Sequence, residues 1–160
     1  MNTVTANVPA TESLFDPHAY FKTHNGLRGS DSFNYRILPN VAPMPYRGLE
    51  GVTSSVLARN MYDKGIIDEL LGGMEEVHKH AFTLDQIAEI IGSQPNGEDG
   101  ELMNDGYANI FYVLVNGVVV AVRVGWDWRG RHWSVRVWYL NENGDWRAGG
   151  RVFRNTTLTI

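Results

Sequence analysis

The strongest regularity in this chain is an alternation of apolar and polar positions that begins near residue 108 and runs to about residue 154. Successive side chains on a strand point to opposite faces, so a period of two predicts strands. NIFYVLV (109–115) and VVVAVRVGW (118–126) are rich in β-branched and aromatic residues, and Asn116-Gly117 stands between them. Asn and Gly both tolerate the positive φ of a type I′ turn, which predicts a tight hairpin. The register follows: Val115 opposes Val118, Val113 opposes Val120, and Phe111 opposes Val122. Four-residue turns at 127–130 and 141–144 carry the pattern through HWSVRVWYL and WRAGGRVFR. The prediction is a four-stranded antiparallel meander over about 108–154.

Directly opposed residues share a face of a sheet. One face then holds Phe111, Val113, Val115, Val118, Val120, Val122, Val124, Trp133, Val135, Val137, Tyr139, Trp146, Ala148 and Val152, and reads as a core. The other holds Tyr112, Arg123, His132, Ser134, Arg136, Trp138, Arg147, Arg151 and Phe153. This second set depends on both longer turns keeping register, because one bulge would flip the strands beyond it.

Upstream, over 53–92, apolar positions recur at the three- and four-residue spacing of helices. Thr53 or Ser54 can cap a first helix with Val56, Leu57 and Met61 on one side. A second is expected over about 66–80, weakened at Gly72-Gly73. Thr83 with Gln86 three residues on predicts a capping box for a third, which Gly92 ends. Residues 93–107 read as an acidic, glycine-rich loop. Residues 14–52 mix six aromatic side chains with four prolines. They read as an extended arm packed on the domain or on a partner, with one short strand near 34–38. Residues 1–13 are small and polar and are expected to be disordered. The predicted fold is α+β: the meander, two to three helices on one of its faces, and the irregular arm, with 53–160 as a single domain.

Composition narrows the function. A hydrophobic fraction of 43% and a charged fraction of 20% over 160 residues suit one soluble globular domain. The chain has no cysteine, which removes disulfides, thiolate metal sites and a cysteine nucleophile. No stretch approaches the roughly 20 apolar residues of a membrane span. MNTVTANVPATESLF lacks the basic start and apolar run of a signal peptide, so the expectation is a cytoplasmic protein without a membrane partner. The net charge of −4 does not suggest a general nucleic-acid binder, but the charge is unevenly spread. Residues 108–160 hold all five tryptophans, seven arginines, no lysine and three acids.

That asymmetry points to the polar sheet face. Arg presents a planar fork that bonds carboxylate or phosphate in pairs, and Trp offers a broad apolar surface. The expectation is a small non-enzymatic binding protein acting by protein–protein contact through Arg123, Arg136, Trp138, Arg147 and Arg151, with Tyr112 and His132 beside them. Self-association is its simplest form. The alternative is single-stranded nucleic acid, with bases stacked on the aromatic rings and phosphates held by arginine. The plainer reading is a solvated face whose Arg stems cover apolar surface.

Other patterns are weaker. Glu75, Glu76, His78 and His80 offer metal-ligand residue types without a third ligand at a telling spacing, and are the least poor enzyme candidate. Glu98, Asp99, Glu101 and Asp105 do not match a calcium loop. His18, His24, Asp16 and Asp31 are acid–base types that nothing in the sequence places together. FTLDQIAEIIG (82–92) resembles the first helix of a helix-turn-helix element. The segment after it supplies glycines and acids where a recognition helix needs basic residues. No cofactor, metal site or catalytic residue is expected.

Overall fold

The computed structural model describes residues 14–23 and 26–156. The expected disorder of residues 1–13 and the candidate His24 lie outside those residues. The protein is α+β, built on a six-stranded mixed sheet rather than a four-stranded meander. Its strands are β1 (Leu14–Phe15), β2 (Leu27–Gly29), β3 (Met44–Pro45), β4 (Val52–Val56), β5 (Met61–Tyr62), β6 (Asn109–Val115), β7 (Val118–Asp127), β8 (His132–Tyr139), β9 (Asp145–Trp146) and β10 (Arg151–Asn155). Its helices are α1 (Pro17–Thr23), α2 (Asp31–Arg36), α3 (Asp63–Leu70) and α4 (Leu84–Gly92). The main sheet runs β2-β8-β7-β6-β10-β4, while β1 pairs with β3 and β5 with β9.

The β6–β7 hairpin has the expected register, with Val115 opposite Val118 and Phe111 opposite Val122. Asn116 and Gly117 take the positive φ values of 49° and 78° that their turn demands. The next turn lies one residue later than expected, between the opposed Asp127 and His132, and β8 keeps its predicted faces. Beyond β8 the meander ends. Glu142 closes a tight turn onto Tyr139, accepting from its N–H at 3.0 Å and donating its own N–H to the Tyr139 carbonyl. The chain then leaves β8 and pairs as β9 with β5, Met61 opposite Trp146. Gly149, at φ 96°, turns it again, and β10 enters the sheet between β6, to which it is parallel, and β4. The outer edge of β8 is filled by β2 in parallel register, Leu27 opposite Trp133.

Three helical expectations are corrected. Residues 52–56 form β4 and not a capped helix, because Val52, Thr53 and Val56 are β-branched and find β10 as a neighbour. The expected helix over 66–80 divides. Residue 63 starts α3, Gly72 and Gly73 at φ 82° and 92° end the helical run, and Val77–His80 resumes as a short 3-10 turn. The helices also do not share one face. The capping box at Thr83 is present, and its N–H donates to Gln86 Oε1 at 3.1 Å. Residues 14–52 are not simply extended, for they supply α1, α2, a 3-10 turn at Leu38–Asn40 and the edge strand β2.

Both faces of the sheet are therefore buried over much of their area. The first face carries Phe111, Val113, Val122, Val124, Trp133 and Val135 against α4, Phe33, Ile37 and Leu38. Phe153 belongs here, stacked on Phe111 at 4.4 Å and 12°, although alternation placed it on the arginine face. The second face carries Ile110, Tyr112, Val119, Ala121 and Val152 against Ile66, Ile67, Leu71 and Trp146. Trp146 and Val152 thus lie opposite to their predicted side. Ile66 and Ile67 are fully buried, which stabilises the fold by roughly 1.5–3 kcal/mol each. The acidic loop before β6 is tied down by two buried amides. Gln94 bonds Glu98, Leu102 and its carbonyl the indole of Trp133, and Asn109 bonds Met103 and Val124.

Candidate anion-binding cavity

Helix α3 and the β5–β9 pair cover the second face over β6 and the Val119–Ala121 part of β7. Along β7 and β8 that face stays partly open, and there Arg123 and Arg136 stand directly opposite each other. They share a cavity of about 420 Å³ with Arg147, Trp138, Tyr107 and Asp145. β7 places Arg123, β8 places Arg136 and Trp138, and the backbone just after β9 places Arg147. Trp138 packs edge-on against Trp146 at 5.6 Å and 84°, which holds one wall.

Opposed like charges weaken a strand pair. Burial and then the neighbouring Arg136 hold the Arg123 pKa below its ordinary value. Arg123 Nη2 donates to the Gly106 carbonyl at 3.3 Å, a neutral partner. Among the described residues no carboxylate lies within 4.0 Å of the guanidinium of Arg123, Arg136 or Arg147. The one acid in the wall, Asp145, leaves the cavity with a surplus of two positive charges. Such a concavity attracts an anion, because each guanidinium can offer paired N–H donors, that of Arg123 from a partly dehydrated position.

Gly125 makes this geometry available. A Cβ there would fall 2.3 Å from Arg123 Nη1, so the guanidinium lies across the bare backbone of its own strand. A glycine inside a strand signals such close approach, and this one carried that signal in the sequence. Tyr107 and Asp145 carried none.

The seven residues singled out from the sequence divide. Arg123, Arg136, Trp138 and Arg147 gather at the cavity. His132 lies at the turn end of the same strand pair, 3.7 Å from Asp127. Asp127 accepts the N–H groups of Gly130 and Arg129, and these hold its pKa below the ordinary carboxylate value. Tyr112 is fully buried under α3, its hydroxyl donating to Asp63 at 2.6 Å. Arg151 lies on the first face beside Asn109, where Nη1 donates to the Glu101 carbonyl at 2.7 Å. A second, smaller hollow of about 330 Å³ shares Arg123 and Arg136 with the cavity and adds Arg129 and the exposed Trp128.

The weaker candidates are placed apart. His80 Nδ1 lies 3.0 Å from the Asn155 carbonyl, with the Arg154 guanidinium against the ring. His18 Nε2 lies 3.0 Å from the Val41 carbonyl. Among the described residues no three His, Asp or Glu side chains converge as metal ligands. No helix among them is long and apolar enough to cross a membrane. No protein-family model matches the chain, and neither a curated protein nor a solved structure is similar to it.

Proposed function

We propose that this chain is a small binding protein that acts through protein–protein contact, with the arginine cavity receiving an acidic group of its partner. One observation carries the reading: three arginines, Arg123 half-buried and Arg136 and Arg147 exposed, line one concavity, and among the described residues none has a carboxylate in ion-pair range. Folding alone gains little from opposing Arg123 to Arg136, whereas a bound carboxylate relieves their repulsion. Trp138 supplies the apolar anchor common at protein contacts. A second copy of the chain is the simplest partner, since residues 1–107 carry a net charge of −8 and residues 108–160 one of +4.

Single-stranded nucleic acid is the second reading, favoured by Trp128, which is 65% exposed beside the same arginine pair. A stacked base and a bridging phosphate suit that arrangement. Sedimentation at low and high salt, with and without a mixed-sequence oligonucleotide, separates the two. A self-associated species that ignores the oligonucleotide, and that Arg136→Ala or Gly125→Ala dissociates, supports protein contact. A monomer that takes up the oligonucleotide and releases it in salt replaces it with the second reading. A monomer that binds neither the oligonucleotide nor an acidic peptide refutes both.

A further inference from the structure

A different cavity, of about 490 Å³, opens on the far side of the molecule between β1, α1, Tyr46 and α4. Its walls are aromatic. The Phe15 ring lies 5.6 Å from that of Tyr20 and 5.8 Å from that of Tyr46, the latter at 72°. Three carboxyl groups also line it, Asp16, Asp85 and Glu89, and among the described residues no basic side chain does. Asp85 is fully buried and accepts the N–H of Arg47 and the hydroxyl of Thr83, so its oxygens are held in place. The Arg47 side chain does not reach the cavity wall. Asp16 accepts the N–H of His18 at the start of α1. Glu89 is exposed, and its carboxylate has no hydrogen-bond or ion-pair partner among the described residues. The Tyr20 hydroxyl donates to the Ala88 carbonyl, and burial pushes its pKa up to about 12, so the ring stays neutral.

Ring faces carry negative charge density, and carboxylates beside them add to it. A compact metal ion would lose its hydration shell against apolar walls, at high cost. An alkylated ammonium has already traded hydration for methyl surface, and it packs on ring faces while keeping its charge. We propose that this cavity binds the alkylammonium group of a small organic cation against the aromatic wall of Phe15, Tyr20 and Tyr46, with the exposed Glu89 as its accessible carboxylate. The site shares no residue with the arginine cavity and stands or falls separately from it.

The test is an amide chemical-shift titration of the whole chain with choline, alongside its uncharged isostere 3,3-dimethylbutan-1-ol. The expected result is saturable shifts confined to the neighbourhoods of Phe15–Tyr20, Tyr46 and Asp85–Glu89, with choline about tenfold tighter than the isostere. Tyr46→Ala and Glu89→Gln, both at exposed positions, should each weaken choline several-fold, and Arg136→Ala should leave it unchanged. Absent shifts, or equal affinity for the isostere, overturn the proposal. A trimethyllysine peptide that binds more tightly than choline overturns the small-molecule assignment in favour of protein recognition.

Discussion

Removing the Asp63 carboxylate, by Asp63→Ala, should be among the most damaging single changes in this fold. Asp63 is the first residue of α3 and is fully buried. Its Oδ1 accepts the Tyr112 hydroxyl at 2.6 Å and the Trp146 indole N–H at 2.7 Å, and its Oδ2 accepts the Asn141 N–H at 2.7 Å. One side chain thereby joins α3 to β6, to β9 and to the turn after β8. Asp63→Ala strands three donors, two of them on fully or nearly fully buried side chains. Each orphaned buried donor costs about 1–3 kcal/mol, and water entering the vacated space recovers part of that, so a loss of about 3–5 kcal/mol is expected. That is a large share of the roughly 5–15 kcal/mol that holds a domain of this size together. Tyr112→Phe leaves the carboxylate two donors and should cost about 1–2 kcal/mol. Urea unfolding of both variants and of the double variant measures the coupling. Combined losses well below the sum, by about 1 kcal/mol or more, are expected for partners in one network. Additive losses, or an Asp63→Ala cost under about 1 kcal/mol, would refute the reasoning.

Two further perturbations test the packing and the titration behaviour. Gly97→Ala places a Cβ 2.3 Å from the ring of the buried Trp126 at a φ of +73°, and should cost about 2–5 kcal/mol in urea unfolding. Gly117→Ala has a similar φ but open space, and should cost only about 1–2 kcal/mol; equal losses would show that Trp126 yields freely. Burial raises the Tyr20 pKa from 10.0 to about 12 and, with Asp63 adding to it, raises Tyr112 further. A phenol whose pKa rises on folding contributes stability in full below pH 10 and loses it as the pH climbs through the folded-state value. The unfolding midpoint should therefore fall between pH 10 and 12, with Tyr20 and Tyr112 still unionised in the native protein at pH 11. A midpoint flat across that window, or Tyr20 and Tyr112 phenolates already formed in the native protein at pH 11, would contradict the buried placement.

What the sequence made legible was local. Asn116-Gly117 specifies its hairpin because both residues must accept positive φ, and that register fixes the face of Arg123; Arg136 and Trp138 join it because the turn between Asp127 and His132 keeps the alternation. Thr83 and Gln86 likewise cap α4 through a three-residue spacing. The failures lie where the outcome depended on distant partners. VTSSV reads equally as a helix start or a strand until β10 arrives to pair with it. Gly149-Gly150 reset the register after Trp146, which moved Arg151 and Phe153 to the first face, and alternation cannot see through two glycines. The cover on the second face was hidden for a related reason. Asp63 reads in the sequence as an ordinary helix-start acid, and nothing local says that it will be buried against Tyr112.

The place of β10 also sets a timetable. Its neighbours in the sheet, β6 and β4, are made first, and about 95 residues separate Val56 of β4 from its pairing partner Arg151. At a synthesis rate of roughly 5–20 residues per second, β4 waits roughly 5–20 seconds for the strand that will join it to the rest. During that interval an uncharged, β-prone segment is left with both hydrogen-bonding edges open, and other nascent copies on the same message offer the same segment. The two-glycine turn that steers β10 into the gap is thus a guard on yield as well as a feature of shape, since any delay there lengthens the exposure of β4.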